Sequence, residues 1–243
     1  MRGLARSNPE KLITGLLHSV RNDVPHILLF PAVWRRTITI RNNDYIKYMR
    51  KLKITELKRL SPDDFKRAEK LPVTVVLDNV RSLHNVGSVF RTADAFLIEA
   101  IYLCGITATP PHAEIHKTAL GAENTLEWQY FENTLDAVRQ LKQKSYHILA
   151  VEQAENSIPL HQLQLENQRY AVIFGNEVKG IDQAVMDYCE TCIEIPQFGT
   201  KHSLNVSVAA GIVIWEIFKS TPFQLTQRCA PLQHLSPSDP SLI

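Results

Sequence analysis

The sequence predicts an α/β protein built on a mostly parallel sheet with helices on both faces. Two observations carry that expectation. From Pro72 onward, short β-branched apolar runs alternate with stretches whose apolar residues recur at helical spacing. The runs are apolar at nearly every position, as in strands covered on both sides, and strand–helix alternation of this kind builds parallel sheets.

The first 48 residues show no sustained period. Met49 opens "MRKLKITELKRLSPDDFKRAEKLP", a far more regular, basic and helical segment through residue 71. Within it Ser61 reads as an N-cap, with Pro62 at the first helical position and Asp63 and Asp64 in the first turn. Residues 1–48 are therefore expected to be an upstream extension, disordered or not translated, with Met49 the start. N-terminal sequencing of the native protein tests this, since an intact Met1 or Arg2 end rejects it.

The main domain is expected over 72–221. "VTVVLDN" (73–79) reads as a buried strand and "NVGSVFRTADAFLI" (85–98) as a helix with Val86, Val89, Phe90, Ala93 and Phe96 inward. "AIYLCG" is a strand, "TATPPH" a loop, "LEWQYF" a strand, "LDAVRQLKQK" a helix and "YHILAVE" a strand. A polar stretch follows, then the strand "RYAVIFG", a short helix over 182–188, the strand "CIEIP" and a final helix from Ser203. After Thr221 the chain carries Pro222, Pro231, Pro237 and Pro240 without a period, so 222–243 is expected to be a loose tail.

The composition is globular: 243 residues, 44% hydrophobic and 21% charged, enough for one sizeable core. No apolar run approaches the roughly 18 residues of a membrane span. The nearest, "HILLFPAVW", contains Pro31. Arg2, Arg6, Lys11 and Arg21 are scattered rather than grouped before an apolar stretch, unlike a signal peptide, so a cytoplasmic protein is expected. Four cysteines do not make a disulfide framework at this length. Cys189 and Cys192 form a CxxC without a second pair at zinc spacing. "HAEIH" (112–116) lacks the glutamate placement of HExxH, so no metal is expected. The net charge of +2 hides an asymmetry: residues 1–70 hold 16 Lys and Arg against 7 Asp and Glu, the rest 11 against 18. A basic arm on an acidic body suits a polyanion such as nucleic acid.

Three polar clusters follow predicted strands at their carboxyl ends, where open α/β sheets bind ligands. In "NVGSVFRTADAF", Gly87 allows a close backbone approach, the helix start suits a phosphate, and Arg91, six residues after Asn85, could hold one bidentately. In "IFGNEVKGI", Gly175 and Gly180 have Walker A spacing, but Ile181 and Asp182 stand where that loop needs Lys and Ser or Thr. A nucleoside-triphosphate site therefore fails, and the lack of GxGxxG speaks against a dinucleotide. In "IPQFGTKHSLNVS", Pro196 and Gly199 bend the chain and both Ser203 and Asn205 arrive at a helix start. Capping needs only one of them, so the surplus asks for a ligand.

These three clusters together resemble the SpoU/TrmH-type RNA methyltransferases of the SPOUT superfamily. N-x-G-x-x-x-R-T-A is matched by Asn85, Gly87, Arg91, Thr92 and Ala93. F-G-x-E-x-x-G is matched by Phe174, Gly175, Glu177 and Gly180. I-P-x-x-G-x-x-x-S-L-N-V-S is matched by Ile195, Pro196, Gly199, Ser203, Leu204, Asn205, Val206 and Ser207, so the resemblance spans about residues 72–220. It implies S-adenosylmethionine as cofactor, a ribose 2′-hydroxyl of tRNA or rRNA as methyl acceptor, a homodimer, and an α/β-knot with a C-terminal trefoil knot. It places cofactor contacts at Gly175, Ile195, Pro196, Gly199 and Leu204, with Leu103 and Cys104 adding to the pocket. Arg91 would hold a phosphate and stabilise the alkoxide, while Glu177, Ser203 and Asn205 orient the groups and Asn85 holds the first turn. Gln197 stands where many relatives have Met. Residues 1–71 do not look like the L30e-type RNA-binding domain of several relatives, so Arg50, Lys51, Lys53, Lys58 and Arg59 are the candidates for extra RNA contact. Two other readings are a SPOUT enzyme methylating a base nitrogen and a catalytically silent RNA-binding module. Base-methylating relatives carry different signatures, and the joint presence of Arg91, Glu177, Ser203 and Asn205 speaks against the silent module.

Overall fold

The computed structural model describes residues 50–57 and 59–221, which fall in two compact units. Residues 1–49, Lys58 and 222–243, with the expected extension, start and tail, lie outside the described residues.

In the second unit seven strands form one sheet: β1 (Leu71–Asp78), β2 (Ile98–Cys104), β3 (Glu127–Phe131), β4 (Tyr146–Val151), β5 (Ile158–Pro159), β6 (Arg169–Phe174) and β7 (Thr191–Glu194). Their order is β3-β2-β1-β6-β4-β7-β5, and every pairing is parallel. The six expected strands are all present. β5 falls in the stretch read as polar, because two residues are too few to show a period and Pro159 cannot donate to a ladder.

Six helices cover the sheet: α1 (Pro62–Arg67), α2 (Leu83–Ala95), α3 (Ala113–Ala119), α4 (Thr134–Gln143), α5 (Gln183–Met186) and α6 (Val206–Ser220). Two cores result. Val73, Val75 and Leu77 of β1, with Val172 and Phe174 of β6, pack against Val86, Val89 and Phe90 of α2 and Ala210, Val213 and Ile217 of α6. The alternate residues Val76, Ala171 and Ile173 pack against Ala137, Val138 and Leu141 of α4 and Val185 of α5. This is the period-two geometry of a strand buried on both faces.

α1 starts as the sequence reads: Ser61 caps it by accepting from the Asp64 amide at 3.1 Å, with Pro62 first in the helix. The rest of the basic segment is less helical than expected. Within 50–57 there is one 3-10 turn, Ile54–Glu56, before which Arg50 clasps Glu56 through two hydrogen bonds of 3.0 and 2.8 Å. α2 begins at Leu83, two residues early, because Ser82 caps it through the Asn85 amide. α6 begins at Val206, later than Ser203, because Asn205 is the cap.

Gly87 does permit a close backbone approach, and the element that makes it is α3. A Cβ there would lie 2.2 Å from Thr118 Oγ1 and 2.3 Å from the Ile115 carbonyl, so the glycine lets α3 press onto α2. Thr118 completes that contact by donating to the His84 carbonyl at 3.1 Å. In "HAEIH", Nδ1 of His112 accepts the Glu114 amide at the start of α3, while Nδ1 of His116 meets Glu123 at 2.5 Å. The two imidazoles are thus engaged separately.

Candidate active site

The strand order brings the carboxyl ends of β1, β6, β4 and β7 side by side, and the loops leaving them meet at one rim. The loop after β6 is closed on itself: Asn176 and Gly180 exchange backbone hydrogen bonds of 3.0 and 2.9 Å. Its glycines are required by space. A Cβ on Gly175 would lie 2.3 Å from the Gly180 carbonyl carbon, and one on Gly180 (φ +69°) would lie 2.3 Å from the Glu152 carboxylate. The Asn176 side chain fixes the loop outward, donating to the Asn79 carbonyl at 2.7 Å and accepting the amides of Val178 and Lys179.

Glu177 projects from this ring to the start of α2. Its carboxylate accepts the Arg81 amide at 3.0 Å, the Ser82 amide at 3.2 Å and the Asn85 side-chain amide at 3.1 Å. The helix N-terminus that suggests a phosphate site in the sequence therefore holds the protein's own carboxylate, with the same attraction to free N–H groups and partial positive charge. Burial pushes the Glu177 carboxyl up, but those amides outweigh it and hold it below the usual carboxylate range. Asn85 passes the link on: its Oδ1 accepts from Asn205 Nδ2 at 3.1 Å. Asn205 Oδ1 in turn accepts the Ser207 amide at 2.9 Å and the Ser207 hydroxyl at 2.7 Å. One side-chain chain, Glu177–Asn85–Asn205–Ser207, thus joins the loops after β6, β1 and β7.

Beside it lies a cavity of about 450 Å³. The closed ring forms one wall, Val151, Glu152 and Gln153 at the end of β4 a second, and Glu194, Ile195, Gln197 and the 202–204 loop a third. Phe174, Ile195, Leu204, Val206 and Ala209 give it an apolar lining. Two side chains brace the walls. Glu152 accepts the Ile181 amide at 3.2 Å, and Gln153 donates to the His202 carbonyl at 2.7 Å. A cavity of this size, with an apolar floor and polar side chains such as Glu152, Glu194 and His202 around it, suits a nucleoside-sized ligand.

The sequence model of the SpoU rRNA methylase family matches residues 72–215, more than half of the chain and every element that builds this rim. The chain belongs to the SpoU rRNA methylase family. Among similar SpoU-type proteins, the 23S rRNA (guanosine-2′-O-)-methyltransferase RlmB of Neisseria meningitidis is 32% identical over 60% of this chain and 57% of its own length. RlmB of Pseudomonas aeruginosa is 30% identical over 65% of this chain and 63% of its own. The chain thus spans about three fifths of the length of these curated relatives. An AdoMet-bound rRNA methyltransferase from Sinorhizobium meliloti superposes with a TM-score of 0.59 at 26% identity, covering 66% of this chain and 61% of that one.

The SpoU-type motif residues divide on the structure. Asn85, Glu177 and Asn205 share the network. Gly175, Ile195, Ser203 and Leu204 line the cavity; Pro196 and Gly199 belong to the loop beside it but not to its lining. Leu103 does not line it either. Leu103 is fully buried in β2, and Cys104 is buried with it, two strands from β6 on the far side of β1. The strand that contributes instead is β4, through Val151, Glu152 and Gln153. Arg91 stands on the exposed side of α2, in its third turn. Six residues of helix place it about 9 Å along the axis and about 120° around it from Asn85. Among the described residues no side-chain partner engages its guanidinium. Arg50 is paired with Glu56, whose carboxyl that contact draws down to about 2, while Lys51, Lys53 and Arg59 are exposed. Lys58 lies outside the described residues.

The sequence does not single out Ser82, Glu152 or Gln153. For Ser82 a signal existed, a cap residue three before Asn85. For Glu152 and Gln153 the only signal was a strand end, common to six other strands.

Proposed function

We propose that this protein is an S-adenosylmethionine-dependent methyltransferase acting on a ribose 2′-hydroxyl of tRNA or rRNA. The observation that carries the reading is the Glu177–Asn85–Asn205 chain, which ties three motif loops together beside a nucleoside-sized cavity. The residues fit the cofactor: Gly175 and Gly180 close the turn tightly on itself and on Glu152, which fixes the wall, while Leu204, Ile195 and Val206 give an apolar seat for the adenine. When bound, the cofactor supplies an activated methyl on a sulfonium.

The protein's task is then at the acceptor. A neutral ribose hydroxyl must lie about 3 Å from the methyl carbon and lose its proton as it attacks. Arg91, with no side-chain partner among the described residues, pins the neighbouring RNA phosphate and stabilises the charge growing on oxygen. Guanidinium keeps its proton to above about pH 12, so Arg91 is not the base; phosphate or water accepts the proton. Ser203, on the cavity wall, orients the ribose, and Glu177 and Asn85 keep the loops in register.

The homodimer of this reading is supported by α6. Val208, Ile212 and Trp215 recur along one helix face and stay exposed, Val208 by 50% and Trp215 by 51%. A second copy covers that face, and the protein acts in the cytoplasm. No helix among the described residues is long and apolar enough to cross a membrane. The C-terminal trefoil threading belongs to the same reading.

A ribose-methylation map of total RNA from a deletion strain beside its parent tests the activity. One lost mark, restored by the wild-type gene, is expected. An unchanged map together with no uptake of S-adenosylmethionine by calorimetry rejects it.

A further inference from the structure

The closed loop 176–180 has two sides. The cofactor cavity borders it, and so does a second cavity of about 710 Å³, lined by Asp78, Asn79, Arg81, Asp182 and Gln183 and sharing Lys179 and the rest of the loop wall with the first. None of the three motifs accounts for it.

Its cations differ from nearly all others in the domain. Over residues 72–221, Lys117, Arg139, Lys142, Arg169 and Lys219 are each paired with a carboxylate, and Lys144 donates to the Tyr102 hydroxyl. The remaining four, Arg81, Arg91, Lys179 and Lys201, engage no side-chain partner among the described residues. All four sit on the loops and helix that follow β1, β6 and β7. Two of them, Arg81 and Lys179, line this second cavity.

The acids there are already engaged. Asp78 is buried and accepts from the Thr134 hydroxyl at 2.5 Å and the Asn79 side-chain amide at 2.8 Å. Asp182 accepts the Ala184 amide at 2.9 Å as the cap of α5. The walls are braced as well. Asn79, held at φ +56°, accepts the Ile106 amide through Oδ1 and the Asn176 side chain through its carbonyl. A braced cleft of this volume with two uncommitted cations is too large for a lone inorganic anion and suits a nucleotide-sized polyanion.

We infer that this cleft seats the RNA strand flanking the methylated ribose, with Arg81 and Lys179 each holding a phosphate. The inference rests on the RNA methyltransferase reading and moves the main RNA contact from the basic segment before residue 71 to the far side of the loop that walls the cofactor cavity. The cleft separates strand from cofactor by one ring of backbone, so the target ribose lies at the rim between them.

The test uses the full chain with Arg81→Gln, Lys179→Gln and the double variant, and Arg139→Gln as a control on an exposed but paired cation. Binding of a short labelled single-stranded RNA of mixed sequence is measured across a salt series, and S-adenosylmethionine uptake by calorimetry without RNA. Both cations are exposed, so the fold is retained and the melting temperature stays put. The double variant is expected to bind the RNA about tenfold more weakly, with the salt slope reduced by about 0.7 for each cation removed, while Arg81→Gln, at a residue outside the cofactor cavity, leaves cofactor affinity unchanged. Arg139→Gln is expected to match wild type. The cleft assignment is overturned if wild type binds cofactor and RNA while the double variant keeps its RNA affinity and slope. It is also overturned if Arg139→Gln weakens RNA equally, or if polyglutamate competes as well as RNA per charge. A wild-type protein that binds RNA through Arg81 and Lys179 but takes up no cofactor rejects the methyltransferase reading and leaves the cleft standing.

Discussion

The two ends of the sheet handle charge in opposite ways. At the amino ends of β2, β4 and β6, Glu99 is met by the Tyr146 hydroxyl at 2.8 Å and by Arg169, whose guanidinium also lies over the Tyr146 ring at 4.2 Å. Every charge in that group is answered by another within it. Burial, first, and the Glu99 carboxylate raise the Tyr146 phenol to about 12, so it stays a neutral donor. At the carboxyl ends, Glu177 is answered by main-chain amides and Asn85, and the four cations without a side-chain partner among the described residues stand on the loops and helix that follow β1, β6 and β7. A self-satisfied polar cluster holds a fold together; one that leaves cations open is prepared for an external anion.

Substitutions at the two ends can break or sharpen that contrast. The largest effect is expected from Arg91→Ala: methyl transfer to RNA falls by more than about 100-fold, roughly 2.7 kcal/mol of barrier, while calorimetric cofactor affinity is unchanged. Turnover within about tenfold of wild type removes Arg91 from the role. Gly180→Ala comes next. Its Cβ meets the Glu152 carboxylate at a positive φ, so a loss of about 1–3 kcal/mol in chemical denaturation and a clear loss of cofactor affinity are expected. Wild-type stability and affinity there would mean that the ring is not tight.

A pH series on Glu177→Gln is subtler. The Glu177 pKa is depressed in the folded state, so the stability it adds is present above its unfolded value near 4.3 and is lost as pH falls through the folded value. The melting-temperature gap between wild type and variant should therefore be widest near neutrality and close on acidification below about pH 4. A gap that stays constant to pH 3 contradicts the amide-held carboxylate. Tyr146→Phe, at the opposite end, should do least. A loss of about 1 kcal/mol in stability and no change in methyl transfer are expected. If it lowers turnover instead, the division between the two ends fails.

How much of this was readable in the sequence depends on the distance over which each feature is determined. Strands β1, β2, β3, β4, β6 and β7 announce themselves in four to eight consecutive residues, and Ser61 and Asn205 are local caps. The motif residues name the chemistry by type and spacing. Strand order turns on one long-range pairing, β1 with β6, which joins Val73 to Tyr170, and spacing is silent on it. That is why Leu103, at the end of a strand, was expected in a cavity that β4 lines instead. Gly87 likewise looks the same in sequence whether a ligand or α3 presses on it, and Glu177 gives no sign that its partner is a helix start 92 residues earlier.

The ring 176–180 is a partition one backbone thick with a chamber on either side. A shared wall carries a thermodynamic symmetry: whatever factor an occupant of one chamber imposes on affinity in the other, the second occupant imposes on the first. The hydrogen bonds of Asn176 to Asn79, Val178 and Lys179 hold that shared wall in place.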